Sequence, residues 1–374
     1  MFKEKQYAID SFRGIAVIFA CCAHLKINSH IWDYEILKHH WWIQLFYVTT
    51  GFLVTFIHHD NVVKLGNVKY FFLNRLSRIY PVHILIIFSL LIMELLFYNI
   101  ITNYSLENRM PFSENKSLVA LISNIFLVQG IGLHQNYTWN TVSHPISAEF
   151  FSCLLLGLLF MVNKYKKTFY LLIILFLIFI INVQLLNNRF DIFLSALLGV
   201  FSGSLVCIFY KKYNNLYKNY SSLFWNTSEI IGICIILTLG GVFFNLSNFF
   251  LGEIILKNLL LSILLFIFAF QKGFISIILK NNIFSKLSKI AFAVYMLHSF
   301  VFSLITYLLI YLEKNFNSFI FFKYNSAKDY YLGASKLQGD LYLVLTMTII
   351  IVLANIINVY YEEPMKIKIR KLLK

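Results

Sequence analysis

Charged side chains are scarce in this sequence, and most of them are basic. Only 13% of its 374 residues are Asp, Glu, Lys or Arg, compared with about 25% in soluble domains, whereas 59% are hydrophobic. This composition excludes an ordinary soluble domain and indicates a polytopic membrane protein. The net charge of +15 does not indicate nucleic-acid binding, because no basic domain stands apart from the apolar segments. Basic loops on one membrane face account for it instead.

Cysteines and long polar segments are also scarce. The five cysteines are Cys21, Cys22, Cys153, Cys207 and Cys234. All lie in apolar segments without the spacing of a metal or redox site, so we expect them to pack as small apolar residues and expect no metal. No polar segment is long enough for a second domain, so residues 1–374 are predicted to form a single membrane domain.

Apolar segments of about 20 residues, the length that a spanning helix needs, recur along the chain. We place ten spans, at 9–27, 40–58, 80–101, 146–163, 168–186, 191–210, 229–246, 251–270, 290–311 and 340–360. The segment 117–133 is shorter and contains Gly130 and Gly132. We interpret it as a re-entrant or interfacial helix, with an eleventh span as the alternative. The predicted fold class is therefore all-α, a polytopic bundle of about ten transmembrane helices.

The distribution of lysine and arginine predicts the orientation of the bundle. If the N-terminus is cytoplasmic, the cytoplasmic segments hold 21 of these residues and the outer segments hold 8. Because basic residues favour the cytoplasmic side, both termini are expected in the cytoplasm. An eleventh span at 117–133 would place Lys164–Lys167 and the basic C-terminal tail outside, which argues against it.

The first apolar segment carries an acid, an arginine and a histidine. Arg13 and His24 are eleven positions apart, so on a helix they share one face and stand ~16 Å apart along its axis. Asp10 lies on the same side. Ionisable residues inside a span usually face the bundle interior or a wet cavity. The alternative is an Asp–Arg pair that anchors the helix end, with one tolerated histidine.

Two arginines precede the third predicted span. Arg75 and Arg78 project from one helical face, and paired guanidinium groups there can bind phosphates bidentately. Tyr80 and Pro81 follow, and Pro81 suits the first turn of the span. The alternative is ordinary anchoring by positive charge at the inner surface.

Glu149 and His298 are the remaining ionisable candidates. Glu149 is predicted about one turn inside the outer surface, where the helix dipole alone would favour a carboxylate. Alternatively, it lies beside His24, orients the imidazole ring and raises its basicity for hydroxyl activation. His298 is predicted ~12 Å from the inner end of its span, where a histidine often only bonds a neighbouring helix.

Together these positions resemble the motifs of the acyltransferase-3 family of integral membrane O-acyltransferases, over nearly the whole chain. The matching residues are Asp10, Arg13-Gly14, His24, Arg75, Arg78, Tyr80-Pro81, Ser147–Glu149, Val294-Tyr295, His298 and Glu363-Pro364. Two positions depart from the family pattern. Thr50-Gly51 stands where the family usually has Ser-Gly, and His144-Pro145 where it often has a tryptophan. No hydrolase-like domain follows the last span, so direct transfer to the acceptor is expected.

The resemblance implies transfer of an acyl group, most often acetyl, from cytoplasmic acyl-CoA to a hydroxyl of a cell-surface glycan or its lipid-linked precursor. It implies a multi-pass protein of the bacterial inner membrane. Arg75, Arg78 and Tyr80 would bind CoA, and His298 would line the path of the pantetheine arm. The implied catalytic set consists of His24, as base or transient acyl carrier, with Glu149, Asp10 and Arg13. The expected partners are acetyl-CoA or another acyl-CoA, the carbohydrate acceptor and membrane lipids, but no nucleic acid. A monomer and a homodimer both remain open.

A transporter or flippase for glycans or lipids is the alternative from another class, because ionisable residues within many spans suit it as well. Against it, the halves of the sequence show no repeat and no pair of Gly/Pro-broken spans. A non-catalytic membrane sensor is a third alternative, which the joint presence of His24, Arg75 and Arg78 disfavours.

Overall fold

Helices dominate the described part of the chain. The computed structural model describes residues 5–31, 41–65, 68–96, 98, 112–134, 136–161, 173–174, 177–178, 180, 191–217, 219–244, 250–316, 321–326 and 329–372. The helices are α1 (Tyr7–His24), α2 (Trp41–Leu65), α3 (Val68–Leu96), α4 (Leu118–Ile125), α5 (Ser143–Met161), α6 (Asp191–Tyr217), α7 (Ser222–Phe244), α8 (Phe250–Ala269), α9 (Phe274–Leu279), α10 (Asn282–Asn315), α11 (Lys336–Ile357) and α12 (Glu363–Leu372). A 3-10 turn covers Glu114–Lys116, and a π-helical turn, Asn358–Glu362, joins α11 to α12.

Six stretches of described helix are long and apolar enough to cross a membrane. They are Tyr7–His24, Val68–Leu96, Ser143–Met161, Asp191–Tyr217, Asn282–Glu313 and Lys336–Lys371, and two shorter apolar stretches are Ser222–Thr238 and Ile254–Ala269. The protein is thus an integral, multi-pass helical bundle. The larger number of ten spans stays a prediction, and the predicted span 168–186 lies almost entirely outside the described residues.

A β-hairpin departs from the predicted all-α fold. Strands β1 (Phe322–Ser326) and β2 (Asp329–Leu332) pair antiparallel within the predicted outer loop 312–339. The backbone of Leu332 also pairs with the chain that follows α1, donating to Lys26 O at 3.0 Å and accepting from Asn28 N at 2.9 Å. The hairpin therefore holds the segment after α1 at this end of the bundle.

The helix containing the two arginines begins earlier than the sequence predicted. The predicted span 80–101 placed Pro81 in a first turn, but α3 starts at Val68 and Pro81 lies in its interior. The polar and basic residues of the first three turns lowered the hydropathy of this region without interrupting the helix. Because proline has no N–H, the carbonyl of Ser77 loses its usual helical partner. Arg75 and Arg78 therefore lie within a continuous helix, not in a loop before it.

The segment between α3 and α5 does not cross the bundle. Helix α4 has only 8 residues, ~12 Å of rise. Just before it, Lys116 pairs with Glu94 at 3.0 Å, and at its end the carbonyl of Asn124 accepts a hydrogen bond from His83 at 2.6 Å. Since His83 and Glu94 are ~16 Å apart along α3, the segment runs back beside α3. The chain then turns at Leu127, whose φ is 58°. A helix this short agrees with the re-entrant or interfacial interpretation and is too short for an eleventh span.

Helices α1 and α10 pack side by side in the same direction. Near their first turns, a Cβ at Gly14 would meet the backbone nitrogen of Ser288 at 3.0 Å, and further along the ring of His24 stacks on that of His298. Near the other terminus of the chain, Arg370 lines the same cavity as Lys5. The two ends of the described chain therefore lie at one end of the bundle, as the orientation prediction requires.

Candidate active site

A cavity of about 360 Å³ lies at the end of the bundle where α1, α3 and α10 begin, within the usual range of small-molecule sites, about 300–1,000 Å³. We call it the basic cavity. The charged residues lining it, among those the structure describes, are Lys5, Asp10, Arg13, Arg75, Arg78, Glu149, Lys289, Lys366 and Arg370. Since cations outnumber carboxylates by seven to two, the cavity suits a polyanionic ligand.

Several buried polar atoms that line the basic cavity lack a hydrogen-bond partner. Among the described residues these are Arg13 Nε, Thr50 Oγ1, Asn74 Oδ1, Arg75 Nε and Arg370 Nε. Buried polar groups in folded proteins nearly always have a partner, so five unpaired atoms lining one cavity suit a preformed site for a polar ligand. Three of the five are guanidinium donors, which favours an anionic group as the missing partner.

The structure brings five of the eight predicted site residues together in this cavity. Asp10 and Arg13 reach it from α1, Arg75 and Arg78 from α3, and Glu149 from α5. Tyr80 does not line it, because two positions along a helix turn a side chain ~200° away from Arg78. His24 and His298 lie elsewhere, further along α1 and α10.

Arg75 and Glu149 form an ion pair that is largely hidden from solvent. Their side chains are 14% and 4% exposed, and the Cys153 thiol lies 3.8 Å from the same carboxylate oxygen. Removing one partner of a buried pair typically costs about 3–5 kcal/mol, because the other charge stays behind unpaired. The pair therefore fixes the Arg75 guanidinium at the wall of the basic cavity.

Glu149 was predicted beside His24, one turn inside the outer surface. This prediction is wrong, because Glu149 lies much deeper in the bundle, in the basic cavity. Helix α5 begins within the bundle, because Ser143 at its start bonds Asn124 at 3.3 Å, the residue that His83 contacts in the middle of α3. Six residues further, Glu149 lies ~9 Å deeper along α5. It thereby reaches the level of Arg75 and pairs with it. The sequence placed α5 at the surface because the re-entrant path before it was not evident.

His24 stacks against His298 at the other end of α1. The ring centroids are 5.5 Å apart with an interplanar angle of 30°. His24 is exposed, whereas His298 is fully buried. His298 Nδ1 lies 2.6 Å from the carbonyl oxygen of Tyr295, so Nδ1 carries the proton and, in the neutral ring, Nε2 keeps its lone pair. The sequence singled out both histidines but did not predict that they meet.

Two aromatic rings lie between the basic cavity and the histidines. The Arg13 guanidinium lies 5.2 Å from the ring of Phe46, which stacks on Tyr295 at 6.4 Å, and Tyr295 lies 5.4 Å from His298. Phe46 and Tyr295 also line an apolar gap of about 10 Å³ together with Ala20. This gap holds at most about one water molecule, so it has no room for a pantetheine arm unless the rings move.

Several cavity residues escaped the sequence analysis. Phe46 looks like any other apolar residue of a span, and Asn74 carries no motif. Lys289, Lys366 and Arg370 were counted only as basic charge at the predicted inner surface. In the described part of the chain, no group of three or more His, Cys, Asp or Glu side chains is placed to hold a metal ion.

Comparison with known proteins places the chain in a family. The family model described as an acyltransferase domain, that of the acyltransferase-3 family, matches residues 6–357. No curated protein and no solved structure matches the chain. The matched region runs from α1 through α11 and includes every predicted site residue, whereas α12 lies beyond it. Because the match covers nearly the whole sequence, this membrane protein belongs to the acyltransferase-3 family.

Proposed function

We propose that this protein moves an acyl group, most often acetyl, from acyl-CoA bound in the basic cavity to a hydroxyl of a cell-surface glycan or its lipid-linked precursor. The unpaired guanidinium donors in that cavity are the observation that carries the proposal. In a family of acyltransferases, a preformed cationic site is suited to the phosphates of the acyl carrier, which guanidinium groups bind bidentately. The membrane would be the bacterial inner membrane, with the basic cavity facing the cytoplasm.

The donor would lie along α1. With its phosphates near Arg13 and Arg78, an extended pantetheine arm would follow the helix for ~16 Å to reach His24. This route passes Phe46 and Tyr295, which line the narrow gap between the two sites. Both rings would have to turn aside when the donor binds. In the empty protein they would keep water and ions from passing between the two ends of the bundle.

His24 is suited to the role of general base. As the acceptor hydroxyl attacks the thioester carbonyl, a C–O bond forms and the hydroxyl proton moves to His24. The tetrahedral intermediate then collapses, the C–S bond breaks, and the departing CoA thiolate takes the proton back from the imidazolium. A positioned base of this kind contributes about 10²–10⁴-fold to the rate. The stacked ring of His298 would orient His24, and Glu149 would position Arg75 for the donor.

The binding step can be tested by thermal unfolding of the purified protein with acetyl-CoA. A ligand that binds only the folded state stabilises it by about 2.7 kcal/mol at a hundredfold excess over Kd. We expect Arg78→Ala to raise Kd about tenfold or more, because charge-assisted hydrogen bonds contribute roughly 1.5–3 kcal/mol. Arg75→Ala is less suitable for this test, because it leaves Glu149 buried without its partner and would destabilise the protein itself.

Lys212→Ala is the matched control, because Lys212 is an exposed basic residue on α6 that does not line the basic cavity. It should respond to acetyl-CoA as the wild type does. If a folded wild type is not stabilised by acetyl-CoA or by a longer acyl-CoA, the proposal is wrong and a carrier for glycans or lipids becomes the better interpretation.

A further inference from the structure

Helix α12 supplies two cations to the basic cavity, although it lies beyond the region that matches the family. Lys366 and Arg370 both line the cavity, and their i, i+4 spacing puts them on one face of the helix. The π-helical turn Asn358–Glu362 leads directly from α11 into α12, so the two helices are joined without a loop. Lys368, between them in sequence, is exposed and does not line the cavity.

The two cations of α12 are available to a ligand. Arg370 Nε is buried and has no hydrogen-bond partner among the described residues. Lys366 pairs with Glu363 at 2.6 Å, but that carboxylate is 46% exposed, so water screens the pair and an incoming anion can share the ammonium group. Lys289, on α10, lines the same cavity.

A buried acid, Glu362, lies near both the cations of α12 and the arginines of α3. This carboxylate is 2% exposed, and it interacts electrostatically with both Arg78 and Lys366. It accepts a hydrogen bond from Asn358 at 3.1 Å. The cations of the cavity come from separate helices, with Arg75 and Arg78 on α3 and Lys366 and Arg370 on α12. Cations held on two helices suit a ligand that has phosphate groups at two separate positions.

We propose that Lys366 and Arg370 form a second phosphate subsite, which binds a phosphate of the donor other than the one near Arg78. The inference rests on the proposed function and narrows the donor class. Coenzyme A carries a pyrophosphate and, on the ribose, a separate 3′-phosphate. The phosphopantetheine arm of an acyl carrier protein has a single phosphodiester. Two subsites therefore select an acyl-CoA, with the 3′-phosphate bound to α12.

Competition between CoA and 3′-dephospho-CoA tests the subsite directly. In detergent, the wild type should bind CoA about 10- to 100-fold more tightly than 3′-dephospho-CoA, which is the loss expected when charge-assisted hydrogen bonds disappear. In Lys366→Ala/Arg370→Ala, affinity for CoA should fall by the same factor and affinity for 3′-dephospho-CoA should stay unchanged. The ratio of the two dissociation constants then approaches one.

The control Lys368→Ala removes a cation from the exposed side of the same helix and should keep the wild-type ratio. A double variant that keeps the wild-type ratio would overturn the inference. If it also retains less phosphatidylglycerol on purification, the cations of α12 bind the lipid surface instead. Should the double alanine variant not fold, Lys366→Gln/Arg370→Gln is expected to give the same collapse of the ratio.

The two proposals fail in different ways. If the wild type binds CoA and 3′-dephospho-CoA equally well, the second subsite is wrong and the acyl-CoA donor stands. If a folded wild type binds neither compound, the proposed function is wrong, and the subsite that rests on it is wrong as well.

Discussion

Arg13 and His24 lie on one helix but meet two different environments. Arg13 lines the basic cavity with a buried Nε that has no partner in the described part of the chain. His24, eleven residues further, is exposed and stacks on His298. One helix thus connects a site suited to anion binding with a site suited to proton transfer. We therefore expect the two proposed functions to be separable by substitution.

For His24→Ala we expect a folded protein that still binds acetyl-CoA but transfers acyl groups at least about 10²-fold more slowly, because a general base is lost. Folding should survive because the His24 side chain is exposed. The measurement combines acetyl-CoA-induced thermal stabilisation with thiol release in acceptor-containing membranes. His30→Ala, at another exposed histidine, should bind acetyl-CoA and transfer acyl groups as the wild type does. Normal transfer by His24→Ala would contradict the proposed mechanism.

Ionisable residues were easier to predict than their partners. Arg75, Arg78 and His24 stand out in the sequence because charges are rare in apolar segments. Glu149 stands out for the same reason, but the sequence did not show that it pairs with Arg75. That pairing depends on where α5 begins, and the buried turn around Ser143 sets this start. Phe46 gave no signal, because only the three-dimensional structure shows that an apolar ring lies between two polar sites.

At the scale of elements, α2 and α6 pack so closely that only glycine fits at their contact. A Cβ at Gly51 would overlap the carbonyl oxygen of Val200, and a Cβ at Gly203 would overlap that of Val48. Small residues that let helix backbones approach are a common means of association within membranes. Since α2 also supplies Phe46 and Thr50 to the basic cavity, this contact holds one wall of the site in place.

Gly203→Ala should therefore destabilise the protein by about 1–3 kcal/mol, the usual cost of forcing extra volume into a well-packed interior. Thermal unfolding in detergent measures the loss. Gly232→Ala is the matched control, because its Cβ would meet only the flexible ends of two side chains, Leu264 at 3.0 Å and Ile267 at 3.5 Å. Its unfolding midpoint should change little. An unfolding midpoint of Gly203→Ala equal to that of the wild type would show that α2 and α6 can separate without cost.

The length of the apolar segments located most of the described long helices but not their ends. Helix α3 extends twelve residues before the predicted span, because backbone hydrogen bonds continue through its polar first turns. The hairpin formed by β1 and β2 was missed, since its strands have only five and four residues and pair with each other and with the chain after α1. The sequence analysis treated α12 only as a basic tail, because a count of charges does not show which face of a helix each cation occupies. It therefore missed that Lys366 and Arg370 line the basic cavity.

For the whole molecule, the two polar sites lie toward opposite ends of the bundle. The basic cavity lies where α1, α3 and α10 begin, and it includes both Lys5 and Arg370. The paired histidines lie further along α1 and α10, toward the end where the hairpin holds the segment after α1. Such an arrangement suits an enzyme that takes its donor from one side of the membrane and its acceptor from the other.

The orientation of the bundle can be tested by cysteine labelling in intact cells, after replacement of the exposed Cys234 by serine. Ile31→Cys lies near the hairpin and Lys368→Cys lies on α12, and both side chains are exposed. If the basic face is cytoplasmic, an impermeant maleimide labels Ile31→Cys in intact cells, whereas Lys368→Cys reacts only after permeabilisation. The excess of basic residues in the predicted inner segments, 21 against 8, supports this orientation because such residues are retained on the cytoplasmic side. The reverse labelling pattern would place the basic cavity outside, where the cell supplies no acyl-CoA, and would contradict both the orientation and the proposed donor.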